Sequence, residues 1–272
     1  MSDERGALWR NADRRRARFD ANAQAYDTHR PGYPEESFDD LVSIAALSPG
    51  DPVVEIGSGT GIATLPLARR GLAITCVEPG AALAALARDK LAGFTGIEFV
   101  GTRFEDWQPP PQSARAVVAA NAWHWIAPEA GYRQAAAVLR PSGCLCLLLH
   151  HVVQVGPDGF SAALKELRDS IAPLSEAERQ AGSYLEHKVW ADDMEASGYF
   201  VHLATTRHAF TRQLSARQFV DVTNTYGPNS QLAAADLARW EEAAICLIDQ
   251  RYGGSIAKTE EAVLTVGRRL GD

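Results

Sequence analysis

Three glycines spaced by single residues, Gly57, Gly59 and Gly61, follow directly on a short apolar run in Val53-Val-Glu-Ile-Gly-Ser-Gly-Thr-Gly-Ile62. Glycine permits a turn that side chains would block, so a ligand can press against bare backbone N–H groups, including that of Ser58, at the start of the next helix. That helix is expected over Ala63 to Arg70, ending near Gly71, a usual residue past a helix C-terminus. A second apolar run, Ala73 to Val77, leads into Glu78 and Pro79. An acid about 20 residues beyond the first glycine is placed to accept hydrogen bonds from ribose hydroxyls across a parallel sheet. The chemistry so far is recognition of a nucleoside-like ligand.

The pyrophosphate fingerprint Gly-x-Gly-x-x-Gly does not fit, because its last position falls on Ile62 or Thr64 in the two possible registers. Instead Glu55 stands two residues before the first glycine, where a carboxylate suits a positively charged ligand. S-adenosylmethionine, with an ammonium and a sulfonium and no phosphate, meets that description. The segment resembles the first motif, Glu/Asp-x-Gly-x-Gly-x-Gly, of the class I S-adenosylmethionine-dependent methyltransferases of small-molecule type. Further motifs follow in order: Val77-Glu78-Pro79, Phe104-Glu105-Asp106-Trp107, Asn121-Ala-Trp-His-Trp-Ile126 and Val138-Leu-Arg-Pro-Ser-Gly143, so the resemblance runs from about Gly50 to His151.

The resemblance implies that Glu78 holds the ribose, that the backbone around Phe104 and Glu105 meets the adenine edge, and that Asn121 and Ala122 line the methionine side. Arg103 departs from the small or acidic residue common before that adenine contact. Tyr26, Arg30 and Tyr33 form Tyr-x-x-x-Arg-Pro-x-Tyr-Pro, similar to the segment before the first helix of many such enzymes, where an N-terminal helix closes over the cofactor. Tyr26 and Arg30 lie one helical turn apart, so they either cover the cofactor together or form an exposed pair.

Methyl transfer is an in-line displacement that requires a nucleophile held within about 3–3.5 Å, and in some cases a general base. An imidazole, with an ordinary pKa of about 6.5, suits that task at neutral pH. His124, three residues past Asn121, either removes the acceptor proton or packs between Trp123 and Trp125 to shape the pocket. His150 and His151 close the fifth apolar run on alternate faces, leaving one of them toward the crevice as a second base. Tyr26 is a further catalytic candidate. Trp190, Tyr226 and Trp240 form either an aromatic substrate wall or buried packing.

These residues must be positioned by elements the apolar periodicity predicts. Strands near 52–56, 73–77, 97–100, 116–120 and 143–149 alternate with helices, which implies an α/β fold with a parallel sheet and ligands at the strands' carboxyl ends. The glycine loop, Glu78, Phe104, Asn121 and His150 all fall at those ends. The resemblance completes this as a Rossmann-like, doubly wound, mostly parallel seven-stranded sheet with an antiparallel last strand and a helical lid. Residues 1–34 read as an N-terminal helical cap, 35–151 as the cofactor-binding core, and 152–272 as the remaining strands with an inserted lid and substrate region over 152–195 and 212–258. In that last part helices are expected over Gly159–Ile171, Ser215–Thr225 and Ala233–Arg251, and strands over Phe200–Leu203, Thr206–Thr211 and Glu261–Val266.

A chain of 272 residues that is 46% hydrophobic can build a sizeable core. A net charge of −7 argues against broad phosphate-backbone binding, the basic run Arg14 to Arg18 being the one patch in its favour. Four cysteines, three inside apolar runs, read as buried thiols of a reduced protein and not as metal ligands. The N-terminus lacks an apolar signal region and no apolar run reaches the ~18 residues of a membrane span. The expectation is a cytoplasmic monomer or homodimer. It methylates an O, N or C atom of a metabolite or natural product and releases S-adenosylhomocysteine. Rival readings are a methyltransferase fold that keeps S-adenosylmethionine but performs a cyclisation or rearrangement, and a nucleic-acid methyltransferase.

Overall fold

In a computed structural model of the chain, residues 17, 19–174, 189–226, 229 and 232–271 are described. Seven strands form one sheet in the order β3-β2-β1-β4-β5-β7-β6. The strands are β1 (Pro52–Ile56), β2 (Ala73–Val77), β3 (Ile97–Val100), β4 (Ala114–Ala120), β5 (Leu139–Val155), β6 (Phe200–Ser215) and β7 (Ser255–Arg269). The first five pair in parallel, while β7 runs antiparallel between β5 and β6. The sheet is therefore Rossmann-like and doubly wound, with its last strand reversed.

Strands β1 and β4 are apolar and buried nearly throughout, as expected of central parallel strands covered on both faces. One face packs on α2 (Glu35–Ile44), α3 (Thr64–Arg69) and α4 (Ala81–Leu91) through Phe38, Leu41, Leu67, Ala87 and Leu91. The other packs on α5 (Pro128–Val138) and α7 (Ala191–Ala196) through Tyr132, Ala135, Met194 and Trp190. A third cluster, centred on Phe160, Phe219, Val220, Trp240 and Ile248, joins α6 (Phe160–Ile171), α8 (Ala216–Asn224) and α9 (Ala234–Arg251) over the far ends of the long strands. Helix α8 begins with a capping box in which Ser215 and Gln218 satisfy each other's backbone N–H groups.

The helices expected over 159–171, 215–225 and 233–251 are present within a residue or so of their predicted ends. The strands of the C-terminal part differ. A boundary at residue 151 falls inside β5, which continues to Val155, and β7 starts at Ser255, six residues before the predicted strand. The two segments predicted over 200–203 and 206–211 are one strand, β6, with a register shift between His202 and Ala204. The sheet thus claims 152–155, 212–215 and 255–258 from the expected lid. Its polar residues misled the periodicity because β6 is an edge strand, with Arg207, Thr211 and Gln213 on solvated positions. Helix α1 (Ala23–His29) and the preceding residues from Phe19 supply the N-terminal helical element, whereas the basic run Arg14 to Arg18 lies outside the described residues, except Ala17.

Candidate active site

The glycine loop connects β1 to α3 with Gly57, Gly59 and Gly61 all at positive φ, between 55° and 80°. A Cβ on Gly57 would lie 2.7 Å from the Cβ of Ala122, so this glycine lets the loops after β1 and β4 touch. A Cβ on Gly59 would meet only the Gly57 carbonyl, at 4.0 Å, so that side of the loop is open. Glu78, buried at the end of β2, accepts hydrogen bonds from the N–H groups of Gly59 at 2.9 Å and Gly80 at 2.7 Å. Its carboxylate is fixed directly beside the open face of the loop.

Glu55 is 1% exposed, and its Oε2 and the hydroxyl of Thr60 are buried without hydrogen-bond partners among the described residues. Burial pushes the Glu55 carboxyl up to about 8, with the Thr64 hydroxyl opposing and the charge of Glu78 adding to the rise. Unsatisfied buried groups beside an open glycine loop call for a polar ligand, and a ligand cation would restore ionised Glu55.

The N-terminal segment closes over this region. Asp20 accepts from the N–H groups of Ala82 and Leu83, capping α4 from outside, and Asp27 pairs with Lys90 on the same helix. Phe19 lies edge-on to both Tyr26 and Trp125. Arg30 stacks over Tyr226 at 4.0 Å and Tyr26 at 5.0 Å, and donates to the hydroxyl and carbonyl oxygens of Thr225. Sequence reasoning passed over Phe19 and Asp20, whose contacts with Trp125 and Ala82 span more than 60 residues, and over Thr60, whose burial shows only in the folded loop.

Asn121 adopts a left-handed conformation, which asparagine tolerates, and its Oδ1 accepts from the His150 N–H at 3.0 Å. Its side chain therefore braces β4 against β5. Phe104 is buried, and its carbonyl and that of Trp107 both accept from the Gln134 amide. Glu105 is half-buried beside it, and Pro79 is exposed. His124 is half-buried and stacks on Trp125.

His150 stacks on Tyr33 at 4.1 Å between ring centres. Burial and the cations Arg30, Lys258 and Arg212 draw its pKa down to about 3 despite Glu260, which leaves a weak base. His151 lies on the opposite face, beside Glu261. Trp190 and Trp240 are buried packing residues in separate cores. Tyr226 differs from them, because its hydroxyl accepts from Lys258 at 2.8 Å.

A family profile described as a methyltransferase domain matches residues 53–143. An uncharacterized methyltransferase of Mycobacterium bovis is 35% identical over 130 residues, 48% of this chain and 51% of that protein. The chain thus spans about half the length of the curated relatives it matches. A protein from Anaeromyxobacter dehalogenans described as a type II methyltransferase superposes with a TM-score of 0.61 at 18% identity, over 88% of this chain and 97% of that one. The 4+2 cyclase SpnF shares the fold with a TM-score of 0.52 at 17% identity, over 88% and 82% of the two chains.

Residues 53–143 are similar to the methyltransferase-domain family, and the fold around them is one that methyltransferases share. The matched segment, 53–143, covers the glycine loop, Glu78 and Asn121 but stops short of His150. The residues present fit the family's cofactor: the open glycine face and fixed Glu78 suit a ribose, and Glu55 suits a cation. Among the described residues no group of three His, Cys, Asp or Glu side chains is placed to hold a metal ion, and no helix is long and apolar enough to cross a membrane.

Proposed function

We propose that the chain transfers a methyl group from S-adenosylmethionine to an O, N or C atom of a small-molecule acceptor, releasing S-adenosylhomocysteine. The observation that carries this reading is the Glu78 carboxylate, held by the Gly59 and Gly80 N–H groups at the carboxyl end of β2. When bound, the cofactor supplies an electrophilic methyl group on a positively charged sulfur.

In this reading Glu78 accepts the ribose hydroxyls, exchanging its Gly59 bond for them, while Gly57, Ser58, Gly59 and Gly61 form the floor. Glu55, ionised once a ligand ammonium is near, provides the counter-charge. Pro79 and the backbone of Phe104 and Glu105 border the adenine, and Asn121 and Ala122 border the amino-acid end. Tyr26 and Arg30 close the site from α1, excluding water so that the nucleophile need not compete with it. His124, on the loop after β4, is the proton acceptor in this reading, because burial and neighbouring cations leave His150 a weak base. His150 orients Tyr33 and, through its backbone, Asn121.

Calorimetric titration with S-adenosylmethionine and S-adenosylhomocysteine, with NADH as control, tests the reading. Micromolar binding of the first two that is lost in Glu78→Ala is expected. Binding of NADH instead would overturn it. The alternative of a non-methylating cyclisation or rearrangement has the likeness to SpnF behind it, and is distinguished by whether S-adenosylhomocysteine accumulates during turnover.

A further inference from the structure

Beyond the cofactor site, the ends of β5, β6 and β7 carry a group of charged residues that methyl transfer alone does not use. Lys258 and Glu260 are 4% and 1% exposed, and the Lys258 ammonium donates to Glu260 Oε1 at 2.8 Å. Arg212, opposite Lys258 in the β6–β7 register, donates to Glu260 Oε2 at 2.7 Å. Arg30 faces the same group across the ring of Tyr226, whose hydroxyl bonds Lys258. Two cations therefore share the Glu260 carboxylate, and a third lies across the Tyr226 ring from them. Among the described residues Arg30 is matched by the neutral oxygens of Thr225 and by aromatic rings. Arg212 Nε is buried without a hydrogen-bond partner among the described residues, as is His150 Nε2.

The group is continuous with the glycine loop. Tyr33 stacks on His150, and lies within electrostatic reach of Glu55, Tyr26 and Arg30. Phe210, paired with Glu260 across the sheet, packs on the other side of His150 at 5.6 Å. Further down this face the His208–Asp40 pair at 2.8 Å adds an acid with its own partner and no spare negative charge. An excess of buried positive charge is unfavourable unless an anion meets it, and guanidinium and ammonium groups in one place are the usual receptors of carboxylate and phosphate oxygens.

We propose that Arg30, Arg212 and Lys258 form the acceptor subsite of this enzyme and bind an oxyanion, carboxylate or phosphate, carried on an apolar body that lies against Tyr33, Phe210 and Tyr226. This deepens the methyl-transfer reading, and rests on it for the word acceptor alone. Glu260 orients Arg212 and Lys258 and limits the excess charge.

The test is titration of the full chain, with and without saturating S-adenosylhomocysteine, using benzoate, phenyl phosphate and neutral benzamide. One or both anions should bind at least tenfold tighter than benzamide, and the tighter of the two identifies the oxyanion. Arg212→Gln should weaken that binding about tenfold, and Lys258→Met should do the same. Glu260→Gln, which removes the acid paired with Arg212 and Lys258, should leave anion binding as tight or tighter, an outcome a merely structural disturbance of the cluster would not produce. S-adenosylhomocysteine affinity should move less than twofold in Arg212→Gln, which also reports that this half-buried variant is folded. Equal binding of benzamide and the anions, no anion binding by the wild type, or anion binding unchanged in Arg212→Gln would overturn the subsite. Failure of S-adenosylhomocysteine to bind while the anions do would instead overturn the cofactor reading and leave the anion site standing.

Discussion

Glu55 and Glu78 sit at the ends of neighbouring strands in opposite circumstances, and their substitutions should separate. Glu78 is engaged by two backbone donors, whereas Glu55 is buried with one oxygen unpartnered. Because burial raises the Glu55 carboxyl from 4.5 to about 8, the folded chain holds a proton that the unfolded chain has lost between those values, so this group makes stability fall as pH rises from 4.5 to 8. Glu55→Gln should remove that slope and raise ligand-free stability by about 3 kcal/mol at pH 7, checked by urea unfolding at pH 5 and pH 8. The same variant should bind S-adenosylmethionine at least tenfold more weakly, and the wild type should release close to one proton on binding near pH 7, measured by calorimetry in buffers of different ionisation enthalpy. Gly57→Ala combines a φ of 63° with a 2.7 Å approach to Ala122. A loss of about 2–4 kcal/mol is expected, read as a lowered urea midpoint.

At the scale of elements, α1 is held to α4 by groups outside either helix's own pattern. Asp20 supplies the N-terminal acceptor that α4, which starts after Gly80, lacks in its own sequence. Asp20→Ala should cost about 1 kcal/mol of stability. It should also loosen the N-terminal cover, so that cofactor affinity drops several-fold while an acceptor bound by β6 and β7 is less affected; calorimetry of both ligands checks this. The short parallel strands and the helices between them were legible because each is a continuous apolar run or a 3.6-residue pattern bounded by glycine. Strand β6 was not, since only one of its faces is packed and the bulge between His202 and Ala204 interrupts its alternation. The glycine loop and Glu78 were legible from spacing. Arg212, Lys258 and Glu260 were not, because each reads as an ordinary strand polar residue until β6 and β7 pair.

The described residues form two cores on the faces of one sheet and a third above its long strands. Trp240, 1% exposed, is the largest buried side chain of that third core. Trp240→Ala should cost about 3–5 kcal/mol, and hydrogen exchange should show protection lost first in α6, α8 and α9, with β1, β2 and β4 retaining theirs. Equal loss across the sheet would mean that the three cores unfold as one.

Local order along the chain determined the parallel half of this protein: apolar strand runs, a glycine loop that only glycine's backbone freedom permits, and an acid one strand further on. Those features are short-range, and a periodic pattern reports them directly. Only the tertiary structure decided that β5, β6 and β7 extend past the shorter parallel strands, that Arg30 crosses 195 residues to reach Thr225, and that Arg212 and Lys258 meet on one carboxylate. Pairing register and burial set those contacts, and neither exists until distant segments pack.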